Sequence, residues 1–322
     1  MSDGDAGRLV ERARGGDLRA LARLVSLIED GAPELRQIMR ALAPATGRAR
    51  VIGLTGAPGV GKSTITGALV KEYRSQGHRI GVLAVDPSSP FTGGALLGDR
   101  IRMQDHATDA SVFIRSMASR GQLGGLAAAT PQALRVLDAA GFDLILIETV
   151  GVGQAEVEIA SLADSTIVLV APGMGDAIQA AKAGILEVAD VFAVNKADRP
   201  QAQQTVRDLR NMIALAPAAE GPQWKPPIVA TVATTGEGVP ELAARLDAHW
   251  SWLADTGERE RRRLARAREE VAALAVAALR QRMGRLPGGR GLDEVAGQVA
   301  DGKLDPYAAA DQLIGTLVTA KD

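Results

Sequence analysis

Gly56-Ala57-Pro58-Gly59-Val60-Gly61-Lys62-Ser63, followed by Thr64, fits the pattern G-x-x-x-x-G-K-[ST]. Before it, Val51-Ile52-Gly53-Leu54-Thr55 reads as a short buried strand; after it, Ile65 to Gln76 reads as a helix. The run thus sits between a strand and a helix, the setting in which such a loop grips phosphate. Glycines let successive backbone N–H groups turn inward onto phosphate oxygens. The helix N-terminus adds partial positive charge. Lys62 is placed to bridge the β- and γ-phosphates, and the Ser63 hydroxyl to ligate Mg²⁺. A glycine-rich turn with an incidental lysine would require neither flanking element.

The rest of the composition bounds the setting. The chain has 322 residues, more than one small core needs, which fits a mid-sized α/β domain with extra helices at both ends. Its net charge of −1 gives no field that favours nucleic acid or an anionic membrane. Cysteine is absent, so disulfides and thiolate metal sites are excluded. The acidic start, Met1-Ser2-Asp3-Gly4-Asp5, lacks the apolar core of a signal peptide, and no uncharged run approaches transmembrane length. A cytoplasmic protein is the expectation.

Outward from the loop, residues 7–42 carry helical apolar spacing, with Asp17 and Pro33 at plausible helix starts. Packing onto the nucleotide domain and docking a partner are both open for this preface. Residues 79–85 form a second buried strand that ends at Asp86, and a glycine-bearing loop continues to Asp99-Arg100-Ile101-Arg102. Asp86 and Asp99 are hard oxygen donors suited to Mg²⁺, directly or through water; a solvated polar loop is the alternative. Val112-Phe113-Ile114 reads as a short strand, Ser116 to Gly125 as a loop, and Leu126 to Ala140 as a helix. Phe142-Asp143-Leu144-Ile145-Leu146-Ile147-Glu148 is an apolar run ending on a carboxylate, the pattern of a central parallel strand that delivers an acid at its C-terminal end. There Glu148 can hold the water shell of Mg²⁺. Two glycines in Thr149-Val150-Gly151-Val152-Gly153-Gln154 give that loop a pivot.

A further strand, Ser165 to Ala171, ends at Pro172-Gly173-Met174-Gly175-Asp176, and the next, Asp190 to Val194, runs into Asn195-Lys196-Ala197-Asp198. A carboxylate only accepts hydrogen bonds. Guanine offers two neighbouring N–H donors and adenine offers no such pair, so Asp198 selects guanine. Asn195 can tether neighbouring loops, and the stem of Lys196 can cover the base. The last strand, Ile228 to Val232, turns at Ala233-Thr234, so Val232, Ala233 and Thr234 join the base site, with a backbone N–H near Ala233 for the guanine carbonyl. From Glu258 arginines alternate with glutamates, which favours a solvated, salt-bridged helix over an RNA-binding one. Two short helices, about 292–301 and 306–318, follow. His78, His106 and His249 are scattered without metal-ligand spacing.

On these residues the chain resembles the MeaB/ArgK family, the G-protein chaperones of adenosylcobalamin-dependent acyl-CoA mutases. Its distinctive stretches are Gly53 to Thr64, Ala84 to Pro90, Val112 to Met117, Ile147 to Gln154, Pro172 to Asp176 and Asn195 to Asp198. Glu148, where a Walker B region usually carries aspartate, with the Val150-Gly151-Val152-Gly153-Gln154 continuation, is far more specific than the phosphate loop. The resemblance implies a P-loop NTPase of the SIMIBI class with a mostly parallel central sheet. It implies an N-terminal helical extension (1–46), a GTPase domain (47–255) and a C-terminal helical dimerisation arm (256–322). Lys62 and Ser63 would serve phosphate and Mg²⁺, with Asp86, Asp99 and Glu148 around the metal. Residues 86–105, 148–161 and 171–182 would be three switches, with Lys182, aided by Gln179, acting in partner-stimulated hydrolysis. The partner would be the B12-binding domain or subunit of a mutase, served by a homodimer that itself binds no cobalamin. A metal-delivering GTPase and a nucleotide-dependent kinase are the competing readings. The first would normally carry a Cys/His cluster, and the second needs an acceptor pocket with a base.

Overall fold

The computed structural model describes residues 3–86, 109–118, 129–149, 155–173, 187–215, 223–284 and 291–319. Asp99, Gln179 and Lys182 lie outside them, and Asp86 is described only as backbone. The chain divides into two compact units, residues 1–259 and 260–322.

In the first unit β1 (Arg50–Thr55), β2 (Ile80–Asp86), β3 (Val112–Ala118), β4 (Leu144–Thr149), β5 (Ser165–Val170), β6 (Val191–Asn195) and β7 (Ile228–Thr231) form one sheet. Its order is β3-β2-β4-β1-β5-β6-β7, and every neighbouring pair is parallel. The chain winds to one side of β1 through β2 and β3, and to the other through β5, β6 and β7. The C-terminal ends of all these strands therefore lie along one edge of the sheet, with that of β1 between those of β4 and β5, and that edge is where ligands bind in open α/β sheets. Strands covered on both faces must be apolar along their length. β4, β5 and β6 are buried at every position.

Side chains alternate across the sheet. Leu144 and Leu146 pack with Ile65 and Leu69 of α4 (Lys62–Ser75) and Leu242 and Leu246 of α8 (Val239–Asp255). Ile145 and Ile147 face the opposite layer, with α5 (Thr130–Ala139) and the N-terminal helices. Glu148 is thereby turned to the α4 face, where the phosphate loop opens. On the opposite layer α6 (Ala155–Leu162) lies against β1 through Ile159, and α7 (Ala202–Leu215) covers β5 and β6 through Val206 and Leu209.

The helical preface packs onto the sheet. It comprises α1 (Asp3–Arg14), α2 (Leu18–Glu29) and α3 (Leu35–Leu42), and Leu21, Leu24, Val25, Ile28, Ile38 and Leu42 join the sheet's own core. Asp17 caps α2, its Oδ1 accepting from the Arg19 and Ala20 amides at 2.9 and 3.1 Å. The Arg12 guanidinium, with those amides, holds the Asp17 carboxyl below the usual carboxylate range. Asp138 gathers the amides of Gly47, Arg48 and Ala49, fixing the chain's entry into β1.

Two local findings refine the sequence reading. The strand expected at Val112–Ile114 runs on to Ala118, because parallel pairing with β2 continues as far as Asp86↔Ala118. Ser116 to Ala118, expected as the start of a loop, belong to this strand, and Arg115 is held by Glu29 and Ser26 of α2. Second, Ser165 Oγ lies 2.8 Å from His249 Nδ1, and His249 Nε2 lies 3.2 Å from Asp190 Oδ1. The three residue types are those of a hydrolytic triad, but Ser165 and His249 are 0% exposed. Asp190 Oδ2 accepts the Thr166 amide at 2.8 Å, so the group clamps β5, β6 and α8 together.

The second unit carries α10 (Leu292–Ala300) and α11 (Pro306–Thr319), with most of α9 (Glu258–Gly284). Leu264, Val271, Leu274, Val276 and Leu279 are exposed along α9. Among the described residues no helix is long and apolar enough to cross a membrane.

Candidate nucleotide site

The phosphate loop leaves β1 at Gly56 and enters α4 at Lys62. Gly56 has φ +141°, and a Cβ there would collide with the Leu169 carbonyl oxygen of β5. Gly61, at φ +97°, is the residue before the helix, and a Cβ would strike the Asn195 amide. Both glycines are thus required by close approach as well as by backbone conformation. Ala57, Pro58, Gly59 and Val60 complete the turn. Val60 is buried, while Pro58 and Gly59 are exposed at its tip.

Lys62 is 8% exposed, and its Nζ donates to the Gly56 and Ala57 carbonyls at 2.7 and 3.1 Å. The ammonium is held in the mouth of the loop by the loop's own carbonyls. Ser63 Oγ donates to Glu148 Oε1, and Thr66 Oγ1 donates to Glu148 Oε2 at 2.8 Å. Glu148 is 3% exposed. The β1–β4 register, Leu54↔Glu148, puts the acid level with the start of the loop. A buried carboxylate beside a serine hydroxyl at a helix N-terminus is a hard oxygen pair that fits Mg²⁺. Thr64, the next residue of the helix, is exposed.

The segment expected to select the base, Asn195-Lys196-Ala197-Asp198, comes to the same end of the sheet. Asn195 is 2% exposed and ties three segments: its Nδ2 donates to the Val60 carbonyl at 2.8 Å, and its Oδ1 accepts the Ala233 amide at 3.1 Å and the Thr231 hydroxyl at 3.4 Å. Lys196 adopts φ +58° and its Nζ donates to the Gly59 carbonyl at 2.6 Å, which lays its stem across the loop. Asp198 is exposed, leaving its carboxylate open to a base. Val232 and Ala233 are buried and Thr234 is exposed. The Ala233 N–H, expected near the guanine carbonyl, is engaged by Asn195 in this state.

Lys62, Ser63, Glu148, Asn195, Lys196 and the residues around Ala233 are thus brought together. Sequence reasoning missed Thr66; its signal is its place on α4, one turn beyond Lys62 and Ser63 on the same face. A cavity of about 600 Å³ lies elsewhere, at the opposite ends of the strands, beside Arg50, Tyr73, Asp138, Asp143 and Asp247. The acids there are engaged by Arg50 and Tyr73 (Asp247), by the Arg79 amide (Asp143) and by the residue 47–49 amides (Asp138). Burial pushes the Tyr73 hydroxyl pKa well above its ordinary value.

The family model "Methylmalonyl Co-A mutase-associated GTPase MeaB" matches residues 21–286. A protein of Pyrococcus horikoshii named a GTPase is 46% identical over 311 residues, covering 96% of this chain and 98% of that one. A Mycobacterium tuberculosis protein named a GTPase is 40% identical over 314 residues, covering 95% and 93%. A mouse protein named methylmalonic aciduria type A homolog, mitochondrial, is 40% identical over 195 residues, covering 59% of this chain and 46% of its own length. Among solved structures, an LAO/AO transport system kinase superposes with a TM-score of 0.70 over 99% of each chain at 23% identity, which shows a shared fold.

Proposed function

The chain belongs to the MeaB family of methylmalonyl-CoA mutase-associated GTPases, and from that membership we propose that its nucleotide cycle gates loading, protection and reactivation of the adenosylcobalamin in a B12-dependent acyl-CoA mutase. The chain is a GTPase that binds GTP and GDP. The observation that carries the site reading is the meeting of Ser63 and Glu148 beside Lys62, at the loop that Asn195 ties to the base-selecting segment.

In this reading the loop amides and Lys62 hold the β- and γ-phosphates, and Asp198 takes the two guanine N–H donors. Ser63 and Glu148 would hold Mg²⁺, with Asp86 and Asp99 of the first switch as further oxygen donors. When bound, the ion neutralises charge on the phosphate oxygens. Hydrolysis is in-line attack of water on the γ-phosphorus, with cleavage of its bond to the β–γ bridging oxygen and release of GDP and phosphate. Lys182, with Gln179 beside it, adds positive charge when the third switch meets the mutase. The exposed apolar residues of α9 support a homodimer through residues 256–322.

Two measurements test this. Asp198→Asn replaces one acceptor oxygen with a donor facing a base donor. It is expected to weaken GTP binding about 10- to 100-fold and to erase the preference over ATP, read by competition against a fluorescent guanine nucleotide. Unaltered preference removes Asp198 from base selection. Lys182→Ala is expected to remove most of the mutase-stimulated increment in phosphate release while GDP affinity stays within about twofold, since only the transition state is served. Full stimulation in the variant would end that assignment.

A further inference from the structure

Glutamate has one more rotatable bond than aspartate, so a glutamate that must aim one oxygen at a metal needs its other oxygen held. In this chain the holder is visible. Glu148 Oε1 accepts from Ser63, and Oε2 accepts from Thr66 Oγ1 at 2.8 Å. Thr66 is 0% exposed and lies 82 residues from Glu148 in the chain, so the contact is made by the fold and not by local sequence. The same hydroxyl stands 3.0 Å from the Lys62 carbonyl, one turn back on α4. A β-branched side chain in a helix has few rotamers, and this back-contact belongs to one of them. The hydroxyl has one proton, and an ionised carboxylate is the stronger of the two acceptors.

We infer that Thr66 is the positioning residue for the metal-binding glutamate: by fixing Oε2 it turns Oε1 towards Ser63 and the Mg²⁺ of a bound guanine nucleotide. The inference rests on the Mg²⁺ reading given above and deepens it. Groups that orient a ligand without touching the ion commonly set its affinity. Lys62 and Ser63 begin α4 and Thr66 follows one turn on, so the phosphate-gripping and metal-orienting groups share one rigid element.

The test uses the full chain loaded with a fluorescent GDP analogue, with release followed over a Mg²⁺ titration and in EDTA. Thr66→Val keeps the shape and removes the donor; Thr66→Ser restores it. Wild type is expected to release the analogue more slowly as Mg²⁺ rises. In Thr66→Val the half-effective Mg²⁺ concentration should rise about tenfold or more, with release in EDTA within about twofold of wild type and Thr66→Ser close to wild type. A Thr66→Val titration that overlays wild type would overturn the inference and leave the Mg²⁺ site standing. Equal losses with and without Mg²⁺ would also overturn it, as general damage to the loop. Wild-type release indifferent to Mg²⁺ would remove the metal reading and the inference together. Should Thr66→Val fail to fold, Thr66→Ala is read against the same outcomes.

Discussion

Lys62→Ala is expected to lower GTP turnover by about 10²- to 10³-fold or more at saturating nucleotide, the loss typical of deleting one donor aimed at developing charge. In the site proposed above the ammonium meets the arriving triphosphate; in this structure it is bonded to the Gly56 and Ala57 carbonyls. Phosphate oxygens are anionic and form the stronger, charge-assisted bonds, so a bound nucleotide draws Nζ away from those neutral acceptors. The distance moved is small, because the stem is already buried and its direction fixed by the first turn of α4. Little reorganisation then remains for the transition state, which is the condition under which a fixed charge accelerates phosphoryl transfer. The buried Gly56 carbonyl loses a donor in the variant, at a stability cost of about 1–3 kcal/mol. Measuring phosphate release alongside a denaturant midpoint separates the two effects. Turnover within tenfold of wild type, in a folded variant, would show that Lys62 does not act on the transferring group. Lys62→Arg is expected to fail as well, since a planar fork does not replace a compact ammonium in a cavity shaped by backbone carbonyls.

What could be read from the sequence divides along a physical line. The turn of the phosphate loop is legible because its demand is local: glycine where the backbone takes positive φ and passes close to a neighbour, as at Gly56 and Gly61. Glu148 is legible because strand alternation fixes which face it joins. The unread features depend on partners far away in the chain. β3 runs on to Ala118 because β2 pairs with it that far, and Arg115 within it meets Glu29, 86 residues earlier, on α2. Asp138 reaches back about ninety residues to the amides that lead into β1. Asn195 was expected to tether neighbouring loops, but its particular acceptor, the Val60 carbonyl, follows only from the approach of β6 to the phosphate loop. Thr66 is the same case, because a threonine inside a helix says nothing until the strand opposite is known to end on an acid. The preface was open between packing and docking for a related reason: amphipathic spacing states that a face must be covered, not what covers it.

Gly56→Ala is expected to be the most damaging single-methyl change in the phosphate loop. The obstacle is backbone on both sides. The new Cβ would be driven into the Leu169 carbonyl oxygen, and it would stand 3.2 Å from the carbonyl carbon and 3.3 Å from the Leu169 Cβ. No rotamer change relieves a clash with a carbonyl. Leu169 lies in a fully buried strand whose register against β1, Thr55↔Val168, is set one residue before the glycine. Moving β5 would disturb its pairing with both β1 and β6. Moving the loop would pull Lys62 and the Val60 carbonyl away from their partners. The φ of +141° is itself closed to alanine. A loss above about 4 kcal/mol follows, in the range reserved for backbone collisions in a core. Gly59→Ala is the control. It also has positive φ, +79°, but nothing lies within 4 Å of its added Cβ. That change meets only the left-handed backbone cost, about 1–2 kcal/mol. Denaturant unfolding of the two variants should therefore differ by at least about 2 kcal/mol, with guanine nucleotide binding lost in Gly56→Ala and retained, weakened, in Gly59→Ala. Equal destabilisation in the two would mean that strained backbone alone, and not the closeness of β5, makes the first glycine of the loop indispensable.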